Sequence, residues 1–257
     1  MIHWVGILLC SFALSTRADI AGDRLAAAGV AEFTAAYQAW DGARFRAAAD
    51  LFRQACTNAP GSCTNFYWLG AAEFHRALQR RSLPASPTNT FAADAALDAA
   101  LAALLTAVRL DPAHAESHAL LGTIYGMKIN GSLLRAVRFG PRVSKHKDLA
   151  LASGANNPRV RYLFGTCQFH TAKSPAAQRE ALATFLLADK LFAAEAKQAA
   201  GPLDPRWGHS SCLTFIGRTY ELLGQLPEAA AYFRKALGEH PADRLAQEGL
   251  ARVAGQH

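Results

Sequence analysis

Apolar residues recur along this chain at helical spacing, in short runs broken by glycine, proline and polar residues. Near its end, Ile216, Gly217 and Tyr220 fall on one face of a first predicted helix, and Ala229, Phe233 and Ala236 on one face of a second. Steps of three and four residues place side chains on one helical stripe. Gly224-Gln225 breaks the two runs apart, and Pro241 cannot continue the second helix. Gly217 and Ala229 are small, so the two helices can approach closely there. Ile216, Tyr220 and Phe233 are then left to fill the space around the contact.

The pattern repeats. Ala229, Phe233, Ala236 and Pro241 are separated by 4, 3 and 5 residues, and so are Ala48, Phe52, Ala55, Pro60 and Ala100, Leu104, Ala107, Pro112. Ala181, Phe185 and Ala188 form a partial copy without the proline. The apolar-glycine pair of the first helix returns as Leu69-Gly70, Leu121-Gly122 and Phe164-Gly165. Pro60 and Pro112 each precede the next such glycine by ten residues, and Pro241 precedes Ala251 by the same distance. These residues at these offsets resemble the tetratricopeptide repeat (TPR), whose unit is about 34 residues. The resemblance covers roughly residues 25–255 and implies an all-α helix-turn-helix solenoid. It would hold about five units (24–62, 63–113, 114–157, 158–206, 207–242) and a capping helix in 243–257, within a domain of 19–257. Gly70, Gly122, Gly165 and Gly217 follow one another at 52, 43 and 52 residues, so insertions lengthen the repeats. Alanine abundance and short β-branched runs agree with helix over strand.

Residues 1–18 predict a secretory signal. Trp4 to Leu14 is apolar but short for a membrane span, and Thr16-Arg17-Ala18 offers small residues before a cut ahead of Asp19. An exported, periplasmic or secreted protein is therefore expected. Export would leave four cysteines in an oxidising compartment. Cys56 and Cys63 flank Asn58-Ala59-Pro60-Gly61 and are a disulfide candidate, whereas Cys167 and Cys212 read as small packing residues.

The net charge of +7 permits anionic partners. It concentrates in one segment, where Lys128, Arg135, Arg138, Arg142, Lys145 and Lys147 precede the first acid, Asp148. Gly140-Pro141 predicts a turn with Pro141 opening the next helix. Helix-start N–H groups beside these cations would make an anion site around Arg138, Arg142 and Lys145. A solvated basic face is the plainer reading. His114 and His118 share a helical face, but the order of His114-Ala115-Glu116-Ser117-His118 is not that of a zinc protease, so a capped helix start with a packed His118 is expected.

No glycine-rich phosphate loop, serine elbow or complete metal-ligand set occurs, so neither enzymatic activity, metal nor cofactor is expected. Aromatic-basic interleaving of the single-strand-binding kind is also lacking, and no nucleic acid is expected. The resemblance implies a scaffold that holds a peptide or protein partner on its concave face. The alternative is a receptor for an anionic small ligand or surface through residues 128–147. Membrane contact is expected only through the signal sequence or weak electrostatics.

Overall fold

The computed structural model describes the backbone of residues 4–255 and the side chains of residues 21–255. The expected signal sequence over 1–18, with Cys10, has its side chains outside that range. The described residues form eleven α-helices and no strand. The chain divides into two compact units: residues up to Tyr37 with Asp41–Pro112, and Gln38–Trp40 with Ala113–His257.

The first unit holds α1 (Trp4–Ala39), α2 (Gly42–Asn58), α3 (Cys63–Ser82) and α4 (Pro87–Leu110). Short polar side chains set the helix starts. Asp41 accepts from Ala43 N and Arg44 N ahead of α2, Ser62 from Asn65 N ahead of α3, and Ser86 from Asn89 N ahead of α4. Each satisfies backbone donors that the first turn leaves unpaired. Small residues then let the helices nest. A Cβ on Gly29 would lie 2.7 Å from the Phe52 ring, and one on Gly70 would lie 2.5 Å from Leu104. Trp68 of α3 stacks on Phe52 of α2 with centroids 5.6 Å apart. His75 is buried among Phe33, Tyr37 and Phe74, and its Nδ1 lies 2.8 Å from the Ala71 carbonyl oxygen. Burial, only partly offset by that bond, lowers its pKa to about 4. The neutral ring therefore donates Nδ1–H to Ala71. Helix α4 is long and apolar enough to cross a membrane by length and composition. Its apolar face is nevertheless used for packing on α3, with Ala93, Ala96, Leu97, Ala100, Leu104 and Ala107 buried.

The second unit holds α5 (Ala115–Ile129), α6 (Leu133–Gly154), α7 (Pro158–Thr171), α8 (Pro175–Glu195), α9 (His209–Leu222), α10 (Leu226–Glu239) and α11 (Arg244–Ala254). Helices pair as α5 with α6, α7 with α8, and α9 with α10; α11 packs on α9 and α10. The first helices α5, α7 and α9 touch in succession. Gly165 faces Phe185, and Gly217 faces Phe233 at 2.7 and 2.8 Å from a notional Cβ. Across the chain, Ala48, Phe52, Ala55, Ala100, Leu104, Ala107, Ala181, Phe185, Ala188, Ala229, Phe233 and Ala236 all show 0 % exposure, so the repeating second-helix positions are core positions. Pro60, Pro112 and Pro241 each stand two residues beyond a helix end, where a proline blocks continuation. Tyr220 stacks on Tyr232 with centroids 5.5 Å apart.

Two expectations are corrected, and one repeat glycine packs differently from the others. Gly122 lies mainly against the backbone of α6, with a notional Cβ 3.6 Å from Lys147 N, 3.7 Å from Val143 O and 3.8 Å from His146 Cβ. The third pair therefore closes by backbone approach, because α6 lacks the large residue between two alanines, at the recurring spacing, that the other second helices carry. Gly140-Pro141 is no turn: α6 runs through it from Leu133 to Gly154. Pro141 sits on the exposed side, where water can solvate the carbonyl left without its usual N–H partner. The cysteines at 56 and 63 are free thiols, not a disulfide. Cys63 points to α4, donating from Sγ to the Ala107 carbonyl at 3.4 Å, while Cys56 is buried on α2. Burial raises their pKa to about 11 and about 12 respectively, which keeps both protonated and unreactive.

Buried charge ties the second unit together. Arg159 at the start of α7 is 3 % exposed. Its Nε donates to Glu116 of α5 at 2.7 Å, and its two terminal nitrogens donate to Glu195 of α8 at 2.9 and 2.5 Å. Asn157, the cap of α7, donates from Nδ2 to the same Glu116 at 2.7 Å.

His209 opens α9 between two carboxylates. Nε2 lies 2.7 Å from Asp189, and Nδ1 lies 2.7 Å from Glu239. Burial acts to lower its pKa, but hydrogen bonds and charge from both acids outweigh this and raise it to about 9. A raised folded-state pKa stabilises fully below the unfolded value near 6.5 and is lost as pH rises through about 9. After screening at this partly exposed site, about 1–2 kcal/mol is at stake. Melting temperature should therefore fall between pH 6.5 and pH 9, and His209→Gln should flatten that fall; a slope unchanged in the variant would show that another group carries it.

Candidate binding surface

The six basic residues singled out above do not converge. Lys128 lies in the last turn of α5, and Lys147 pairs with Asp148 at 3.2 Å. Arg135, Arg138, Arg142 and Lys145 are exposed along α6. Arg142 lies over the rings of Tyr125 and Phe139, 5.4 and 6.0 Å from their centroids, and Arg138 lies 5.2 Å from that of Phe139. The expected helix start at Pro141 is the middle of a helix, so its N–H groups bond within α6 and offer nothing to an anion. The true start is Leu133, capped by Ser132. Beneath this surface, His146 and His118 are buried with their Nδ1 atoms 2.9 Å apart, one ring donating to the other. Burial first, then the charges of His118, Lys145 and Arg142, lower the pKa of His146 to about 4. His114 caps α5, accepting from Ser117 N at 3.2 Å.

A second surface spans α7, α9 and α11. Phe169 of α7 meets Phe215 of α9 edge-on at 5.2 Å, and His170 meets the same ring at 5.9 Å. Arg218 lies over both phenylalanines, 4.9 and 5.2 Å from their centroids. Burial and the charge of Arg252 lower the pKa of Arg218, which nonetheless stays cationic because a guanidinium loses its proton only far above neutral pH. Arg252 of α11 grips Glu221 of α9 with two bonds at 2.7 and 3.0 Å. Phe169, Phe215, Arg218 and Glu221 are each half-buried. Rings held by neighbours, with a cation above them and part of their surface still wet, suit partner contact: little side-chain freedom remains to be lost on binding.

The repeat pattern placed none of these residues in a site. They have a simple relation to it: Arg218 follows the packed Gly217, and Phe169 and Glu221 stand four residues after Gly165 and Gly217. A helix turning about 100° per residue carries Arg218 well off the glycine's packing face, whereas Phe169 and Glu221 stand one turn further along that side, at its edge.

No family model and no curated protein matches the chain. Solved structures do. The thermophilic TPR protein TTC0263 of Thermus thermophilus superposes with a TM-score of 0.60 over 88 % of this chain and 98 % of its own, at 17 % identity. A chain of the APC/C hetero-tetramer Cut9–Hcn1 gives 0.58 over 93 % of this chain and 39 % of the matched chain, at 16 % identity. The chain has the tetratricopeptide-repeat fold. In this chain the added length lies largely in helices: α4, α6 and α8 have 24, 22 and 21 residues against 14 in α10.

Proposed function

We propose that this protein is an exported, non-catalytic TPR scaffold that holds a peptide or protein partner. One observation carries the reading: Phe169, Phe215 and Arg218 form a preorganised, half-exposed aromatic-cation cluster across successive first helices. First helices that touch in succession give such a fold a continuous wall for an extended ligand. The apolar run from Trp4 to Leu14 supports export.

The test is affinity capture with the whole chain and with a Phe169→Ala/Arg218→Ala variant, followed by mass spectrometry. A partner retained by the wild type and reduced about thirtyfold or more with the variant is expected, since loss of a central aromatic or Arg contact costs about 2 kcal/mol or more. Equal recovery with the variant would remove this wall from the function.

A further inference from the structure

The first half of α6 presents an unpartnered apolar stripe bordered by cations. Leu133, Leu134 and Val137 are 85, 85 and 79 % exposed. These values belong to an ordered helix that Ser132 caps and whose other face packs on α5. With about 100° per residue, Leu133, Val137 and Pro141 fall on one line and Leu134 beside it. Arg138, Lys145, Arg142 and Arg135 come next around the helix, all exposed. Ala136, Val143, His146 and Ala150 fall on the opposite, packed side. The helix thus has three sectors: one against the protein, one apolar and one cationic.

We infer that this face docks the protein on an anionic phospholipid bilayer. The apolar sector offers protruding side chains that can enter the headgroup–acyl boundary. The adjoining guanidinium and ammonium groups have stems long enough to remain among the phosphates while the apolar side chains go deeper. That order, apolar side chains beside a one-sided row of cations, is what an interfacial helix requires, and the charge complements an anionic leaflet. Stacking of Arg142 on Tyr125 and Phe139, and of Arg138 on Phe139, orders these two guanidinium groups along the helix while leaving them exposed. The inference is independent of the partner wall on α7, α9 and α11.

The experiment is co-sedimentation of the whole chain with vesicles of phosphatidylcholine containing about one-third phosphatidylglycerol, and with phosphatidylcholine alone. Binding to the anionic vesicles, weak binding to the neutral ones, and release by salt are expected. Leu133→Ser/Leu134→Ser/Val137→Ser should weaken binding about tenfold or more. Arg135→Gln/Arg138→Gln/Arg142→Gln should weaken it about a hundredfold, at roughly a fivefold loss per cation. All six positions are exposed, so circular dichroism should show unchanged helix content in both variants. Each variant keeps the N-terminal apolar run, so any loss belongs to α6. The Leu134→Trp variant gives a second readout: after subtraction of wild-type emission, its fluorescence should shift to the blue on anionic vesicles and stay unchanged with free phosphate or glycerol phosphate. Equal binding by wild type and either triple variant, equal binding to neutral vesicles, or unshifted emission from the introduced indole would overturn the inference.

Discussion

Replacing Phe233 with alanine should destabilise the protein by about 3–5 kcal/mol, the range for emptying a buried aromatic site. The ring is fully buried, and it lies between two glycines: Gly217 of α9 on one side and Gly249 of α11 on the other. Neither glycine has a side chain that could move into the void, and a rigid helix backbone collapses only partly. Urea unfolding followed by circular dichroism measures the loss. Phe233→Leu retains part of the volume and should cost less, so the pair of variants separates lost volume from a general disturbance of α10. A Phe233→Ala protein within about 1 kcal/mol of wild type would mean that α9, α10 and α11 do not meet around this ring.

Arg159→Ala should cost a similar amount, about 3–5 kcal/mol, for a different reason. Glu116 is 6 % exposed, and Arg159 supplies its cation. Removing the guanidinium leaves a buried carboxylate in a medium that solvates charge poorly, and also releases Glu195 at the end of α8. The triple variant Arg159→Leu/Glu116→Gln/Glu195→Gln should recover much of the loss, because taking away every charge costs less than stranding one. If the single and triple variants unfold at the same urea concentration, the stranded charge is not what the alanine substitution exposes.

Helix order and the packed faces were legible because each depends on short-range pattern. Gly70, Gly165 and Gly217 meet Leu104, Phe185 and Phe233, the large residues set between the recurring alanines of the second helices. Gly29, which receives Phe52, carries the same role in the first pair but lacks the preceding large apolar residue that marks the others, so the pattern passed over it. Pro141 misled for a local reason: Gly-Pro favours a turn, yet an exposed proline is tolerated within a helix held by packing before and after it. The disulfide expectation failed because sequence proximity of Cys56 and Cys63 does not give the direction of either side chain. The candidate surface was least legible of all. Phe169 and Arg218 are ordinary residues in the sequence, and only the succession of α7 beside α9 puts the guanidinium over the rings.

The contacts of glycines with rings and leucines also bear on how the molecule assembles. Phe52 is met by Gly29 of the helix just before it, Leu104 by Gly70, Phe185 by Gly165 and Phe233 by Gly217, always across one short connection. Closing such neighbours demands little chain entropy, which favours rapid collapse of each hairpin from its own residues. Amide exchange should then be graded along the polypeptide, with separate hairpins opening at separate free energies instead of one value throughout.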